Sequence, residues 1–178
     1  FIDLKMAELR SLEDLLKHEI NELCKVEDEL IMAMPKMVEK AGDQLLKMAL
    51  EHHLEETKVQ RVRLDQVCQL MPYELKDDMG DSPIKGMLKL SDVLMADDAT
   101  QEAIDAGLIA ASQKIEHYEI SAYGTAAHYA ERLGHLEVAK LLHQTLDEEK
   151  MADTKLNEIA KNSVNLKAMQ PDVEQMRG

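Results

Sequence analysis

The sequence predicts an all-α protein: an antiparallel four-helix bundle with one long crossover connection that contains a short extra helix. Three observations carry this expectation. The 178 residues include only 4 Pro and 7 Gly, which leaves long stretches rich in Leu, Ala, Glu, Lys and Met, all good helix formers. Apolar residues in those stretches recur three and four apart, the period of an amphipathic helix rather than the alternation of a strand. Aromatic residues make up 3% of the chain, with no Trp and one Phe, so the usual material of a β-sandwich core is missing. The core must come from Leu, Ala, Ile, Val and twelve Met.

The first helix is expected from Ser11 to Gly42. Ser11-Leu12-Glu13-Asp14 resembles a capping box, a hydroxyl for an orphan N–H with an acid three residues on. Its inward stripe reads Leu16, Ile20, Leu23, Glu27, Leu30, Met34, Val38, and Pro35 within it should kink the helix by removing one backbone donor. The second helix runs from Asp43 to Met71 and stops before Pro72. Residues 72–83 have loop composition, and a short helical pattern follows from Ile84 to Met95. The third long helix spans Asp98 to Leu133, with Gly107 and Gly124 as places for another helix to approach closely. Gly134 permits a tight turn, and the fourth helix continues from His135 to Asn162. Residues 1–10, with Phe1, Ile2, Leu4, Met6 and Leu9, read as a helical arm against this bundle or a partner. Residues 11–166 form the bundle and 167–178 a frayed tail.

A short loop makes neighbouring helices antiparallel, whereas the long connection lets the third long helix run parallel to the second. Ferritin-like bundles have this wiring. A length of 178 residues suits one domain with a substantial core.

Thirty-five Asp and Glu against 21 Lys and Arg give a formal charge of −14. Nucleic-acid binding is thereby disfavoured, because no basic face exists to displace counterions from phosphates. No apolar run approaches the ~20 residues that cross a bilayer. Two cysteines, Cys24 and Cys68, supply no zinc pattern, and nothing reads as a secretory signal, so a reducing cytoplasm is expected.

Each long helix also carries acid on its apolar stripe. The second reads Leu46, Ala49, His53, Glu56, Gln60, Leu64, Val67, Met71: apolar at both ends and polar in the middle. The third reads Ile109, Ser112, Glu116, Glu119, Tyr123, Ala126, Ala130. The fourth reads Val138, Leu142, Thr145, Glu149, Ala152, Leu156, Ile159, with Asp153 one turn beyond Glu149. A single acid on such a stripe is ordinarily a solvated residue. Four of them, Glu27, Glu56, Glu116 and Glu149, each near mid-helix, would meet at one height in antiparallel packing. Burying several carboxylates together is prohibitive without positive charge. Iron or manganese in a carboxylate and imidazole site would supply it; so would a salt-bridge network through Lys58 and Lys150. A weak internal repeat, Val26-Glu27-Asp28-Glu29-Leu30 against Ile115-Glu116-His117-Tyr118-Glu119 and Leu54-Glu55-Glu56-Thr57-Lys58 against Leu146-Asp147-Glu148-Glu149-Lys150, gives each helical hairpin the same half-site.

These segments, with His53-Leu54-Glu55-Glu56-Thr57, Tyr123-Gly124-Thr125 and Asp147-Glu148-Glu149-Lys150 followed by Asp153, resemble the bacterial YciE/YciF group of stress-linked ferritin-like domains. The resemblance covers residues 12–166. It implies a ferritin-like, dimeric bundle with a dinuclear iron or manganese centre and no settled activity. The general ferritin-like pattern of Glu-x-x-His is absent here: Glu56 leads to Val59 and Glu149 to Ala152. His53, three residues before Glu56, and Asp153 are the expected substitutes, and Glu119 is the extra carboxylate. The expected metal set is therefore Glu27, Glu56, Glu116 and Glu149, supported by His53, Glu119 and Asp153.

One residue of helix phase separates Glu55 from Glu56 and Glu148 from Glu149, and stripe continuity favours the latter of each pair. His52 and His117 are expected on the flanks. Tyr123 could hydrogen-bond a metal-bound carboxylate or donate an electron, against the simpler role of a buried, satisfied hydroxyl. Cys24 reads as a small buried hydrophobe. The functional expectation is peroxide or dioxygen handling, or metal oxidation and sequestration. The alternative is a stress-induced structural or interaction protein of the same shape without a catalytic metal.

Overall fold

A computed structural model describes residues 9–71, 82–95 and 99–169; the proposed arm at 1–8 and the tail from 170 lie outside them. The order is α1 (Leu12–Lys40), α2 (Gln44–Leu70), α3 (Lys85–Met95), α4 (Gln101–Leu133) and α5 (Leu136–Ile159), then a π-helical stretch Ala160–Val164 and a final turn α6 (Asn165–Ala168). No strand occurs among the described residues. α1, α2, α4 and α5 make the bundle, with α1 against α2 and α4, α5 against α2 and α4, and α3 lying across α4 and α1.

The helices begin where short polar side chains replace the missing intrahelical partners of the first N–H groups. Ser11 Oγ accepts from Asp14 N at 3.1 Å, and the Asp14 carboxylate accepts in turn from Ser11 Oγ and Arg10 N. Thr100 caps α4 by accepting from Ala103 N. Asp43 caps α2 by accepting from Leu45 N and Leu46 N. α4 ends at Gly134, whose φ of 81° is left-handed backbone that favours glycine.

α1 continues as a helix through Pro35. Two details differ from expectation. A Cβ on Gly107 would lie 3.3 Å from Leu94, so α3 does approach there; at Gly124 the nearest atom is 3.8 Å away, an ordinary contact with no need for glycine. The last helix persists beyond Asn162, through the π stretch to Ala168. One wide turn alters side-chain phase, and residues within and beyond it dock: Ser163 Oγ, inside the stretch, and Lys167 Nζ, after it, donate to Asp43 Oδ2 at 2.9 and 2.6 Å. Lys167, read from sequence as tail, thus fastens the last turns to the α1–α2 corner. Asp105 closes the same corner by accepting from Gly42 N and Asp43 N.

The core has two apolar halves at the ends of the bundle, with a smaller cluster of Val26, Leu30, Met34, Ile84 and Ile115 on the α1–α4 side. One joins Leu16, Ile20 and Leu23 of α1 to Leu64 and Val67 of α2, Ala126 and Ala130 of α4, and Val138 and Leu142 of α5. The other joins Met37, Leu46, Leu50, Leu108, Ile109, Leu156 and Ile159. Each half pairs the N-terminal part of α1 or α5 with the C-terminal part of α2 or α4, or the reverse. α2 and α4 therefore run parallel, as the long connection predicts. Between the halves lies a buried polar waist.

Candidate metal centre

The waist is built from one or two turns of each long helix. Glu27 comes from α1; His53, Thr57 and Gln60 from α2; Ser112, Glu116 and Glu119 from α4; Thr145 and Glu149 from α5, all buried. Spacings of three and four keep each set on one face. Ligand-type atoms of His53, Glu116, Glu119 and Glu149 lie within 4.8 Å of one another. His53 Nε2 is 3.2 Å from Glu116 Oε1 and 3.7 Å from Glu149 Oε2. Glu27, fully buried, accepts a hydrogen bond from the Tyr123 hydroxyl.

A second set of contacts orients Glu149. Gln60 Nε2 donates to Glu149 Oε1 and, at 3.2 Å, to Glu148 Oε2. Arg63 grips Glu148 through two parallel bonds of 2.7 and 2.8 Å and also donates to Thr145 Oγ1 at 2.6 Å. This part-buried ion pair borders the waist, and its two-pronged geometry suits a guanidinium.

Many atoms of the cluster remain without a hydrogen-bond partner: Glu27 Oε2, Glu116 Oε2, both oxygens of Glu119, Glu149 Oε2 and His53 Nδ1. Their protonation reflects this. Burial pushes Glu27 up from 4.5 to about 7 despite the Tyr123 hydrogen bond. Burial, with Glu149 and Glu27 nearby, holds Glu119 well above the carboxylate range, and burial does the same to Glu149 although His53 opposes it. For His53 burial opposes the charged form, but Glu116 outweighs it and the imidazole is held well above 6.5. Burial followed by the Glu27 charge raises Tyr123 above its ordinary value.

The residues singled out from sequence therefore fall into three places. Glu27, His53, Glu116, Glu119 and Glu149 enter the waist. Glu56 sits at its rim, 26% exposed, with Oε2 3.7 Å from His53 Nδ1 and Oε1 3.3 Å from the exposed His52; the His53 imidazole holds Glu56 below its ordinary value. Asp153 does not join them: it faces the flank, where Gln113 Nε2 lies at 3.0 Å and His117 Nε2 at 3.2 Å. A step of four residues turns about 40° past Glu149, which is enough to leave the interior. Glu55 is exposed and pairs with Lys58, and Lys150 pairs with Asp147 on the surface. Lys58 and Lys150 thus take no part in the waist; the positive charges there are His53, against Glu116 and Glu149, and Arg63, which is engaged by Glu148. Gln60 lay on the predicted stripe without a role, whereas Arg63 lay outside it. The available signal for Arg63 was its position one turn after Gln60, opposite a Glu148 that stripe phase had excluded.

The donor set fits a hard or borderline divalent cation. Three carboxylates and one imidazole converge, with Glu27 buried beside them and one of its oxygens unpaired; the charge of these four carboxylates, when ionised, equals that of two divalent ions.

An all-α bundle with an acid and histidine waist thus defines the class of protein. The chain belongs to DUF892, a family described as a domain of unknown function, whose model matches residues 11–169. It is 38% identical over 160 residues to protein YciF of Escherichia coli K12, covering 90% of this chain and 96% of that one. The crystal structure of that E. coli stress protein matches with a TM-score of 0.83 at 37% identity, over 88% of this chain and 99% of that chain. YcfI of Rhodopseudomonas palustris matches at 0.80 and 38% identity, over 85% and 96%. A Xanthomonas campestris protein, at 0.68 and 23% identity over 90% and 100%, shares the fold.

Proposed function

We propose that the chain is a ferritin-like protein that holds a dinuclear iron or manganese centre in its waist. Glu27, His53, Glu116, Glu119 and Glu149 would be the ligands, with Glu56 at the rim. The observation that carries this reading is the set of buried carboxylate oxygens without partners, beginning with both oxygens of Glu119. Such a group is costly unless protonated or bound to a cation. When bound, the metal pair supplies one-electron steps for peroxide or dioxygen reduction or for ferrous-ion oxidation.

The chain's own residues prepare the site. Gln60 fixes one oxygen of Glu149 through its amide, while Arg63 secures Glu148 so that this second acid does not turn inward. Tyr123 fixes one oxygen of Glu27 and leaves the other free. His53 is held with Nε2 toward Glu116 and Glu149, and its Nδ1 side faces Glu56 at the rim, where protons can exchange with solvent. The two apolar halves exclude water above and below. Of the chemistries open to it, peroxide removal or metal oxidation with sequestration at the site suits this enclosed centre better than mineral storage.

The test loads metal-free protein with ferrous or manganous ion and follows peroxide consumption and ferrous-ion oxidation beside Glu116→Ala. Turnover above the free-metal background, lost in the variant, supports the reading. Metal binding without turnover removes the catalytic half and leaves a binding protein. The second reading is a structural role, which is how the R. palustris relative is described; what favours it is His53 Nε2 lying 3.2 Å from Glu116 Oε1, with burial shifting Glu27, Glu119 and Glu149 toward their neutral forms, so that the waist could close without metal.

A further inference from the structure

Away from the waist, the chain's two cysteines come together. Cys24 of α1 is buried in the apolar half formed with α2, and Cys68 of α2, partly exposed, packs against that same cluster. The antiparallel register that sets Arg61 of α2 against Asp28 of α1 brings Cys68 alongside Cys24 within the same apolar cluster, close enough for each thiol to act on the other. The two residues are 44 apart in sequence, and the antiparallel hairpin is what makes them neighbours. Among 178 residues with two cysteines, both meeting at one spot is a specific arrangement rather than general core filling.

The surroundings complete the arrangement. Arg61, one turn before Asp65 on α2, spans the same interface: its Nε donates to Asp28 of α1 at 2.8 Å and its Nη1 to Asp65 at 2.6 Å. Arg61 acts electrostatically on both thiols, favouring a thiolate, while Asp65 opposes it. The hydrogen bond from Cys24 is the largest influence on Cys68 and lowers it, and the same contact together with burial raises Cys24. Cys68 is thus the half-buried member of the pair, on the side favoured as thiolate, and Cys24 the buried member, held toward the thiol.

We propose that Cys24 and Cys68 form a peroxide-oxidisable dithiol, with Cys68 the attacking sulfur and Cys24 the resolving one. The Cys68 thiolate attacks one oxygen of a hydroperoxide. An S–O bond forms, the O–O bond breaks, and the leaving hydroxide or alkoxide takes a proton from water. Cys24 then attacks the Cys68 sulfenic sulfur. The S–S bond forms, the S–O bond breaks, and hydroxide leaves as water with the Cys24 proton. Two thiols lose two electrons and the peroxide gains them. An external dithiol reverses the oxidation. The inference is independent of the metal reading, and the test uses chelator-treated protein so that the two cannot be confused.

The full chain is exposed to stoichiometric hydrogen peroxide and analysed by intact mass spectrometry and by mapping of unreduced peptides. Expected is a monomer lighter by about 2 Da, reversed by dithiothreitol, with Cys24 and Cys68 in one linked peptide. Cys24→Ala and Cys24→Ser should instead accumulate a dimedone-reactive sulfenic acid on Cys68, about 16 Da heavier before trapping. Cys68→Ser should leave Cys24 unmodified on the same timescale. Circular dichroism confirms that each variant is helical, and a second set with diamide as oxidant tests linkage without a sulfenic step. The proposal is overturned if Cys68 goes directly to sulfinic or sulfonic acid in the wild type, if only intermolecular disulfides form, or if both thiols survive peroxide, whether or not diamide links them.

Discussion

Replacing Glu119 by Gln should stabilise the metal-free protein and abolish its response to metal. Glu119 is fully buried and neither of its oxygens has a partner. Burial and the neighbouring acids keep its proton on well above the ordinary 4.5. Holding such a group protonated at pH 8 costs at most about 5 kcal/mol relative to the unfolded chain. The amide removes that term but introduces polar atoms that also lack partners, at about 1–3 kcal/mol. A net gain of at most about 2–4 kcal/mol remains, or up to about 16 °C in Tm for a chain of this size. In the wild type, a metal ion at about 100 times its Kd adds roughly 2.7 kcal/mol, and in the variant that increment should nearly vanish. Differential scanning calorimetry at pH 8, with chelator and then with manganous ion, measures both effects on the same samples. A lower metal-free Tm in the variant, together with an unchanged metal increment, would refute the reasoning, because Glu119 would then be a satisfied structural acid.

Three further outcomes follow from the same geometry. Metal-free protein should lose stability as pH rises from about 5 to 8: Glu27 is raised to about 7, so the folded state binds more protons than the unfolded chain across that window, and ionising it removes about 3 kcal/mol. The raised His53, Glu119 and Glu149 act in the same direction, and urea titrations at several pH values, with and without metal, should show the slope flattened by bound metal. Gln60→Leu, which frees Glu149 Oε1 without touching a ligand, should weaken metal binding by roughly 10–100-fold in a competitive-chelator titration while leaving helicity intact. Asp43→Ala removes the α2 cap and the anchor of Ser163 and Lys167, and should lower stability by about 1–2 kcal/mol, read as a shift in the urea midpoint.

The bundle was legible because its evidence is distributed. Periodicity, the cap at Ser11, Gly134 and the long connection each point to the same wiring, so an error of a residue or two at a boundary changes little. The waist was partly legible for the same reason, since Glu27, Glu116, Glu119 and Glu149 continue apolar stripes. Asp153 was misplaced because a single turn past Glu149 rotates it to the flank, and Glu56 because it lies one residue from the fully buried Thr57. Arg63 was invisible for a different reason. A buried guanidinium is stable only with its bidentate acid, and Glu148 belongs to another helix 85 residues away. The π stretch and the docking of Lys167 likewise depend on tertiary contacts with Asp43, which no local pattern encodes.

The central claim is that the inward acids exist to hold metal. Elemental analysis of protein purified without chelator, beside Glu116→Ala, tests it most directly. The account predicts about two equivalents of iron or manganese per chain, the charge match for four carboxylates, with most of the metal lost in the variant. Absence of metal both as purified and after reconstitution, or equal metal in wild type and variant, would contradict it.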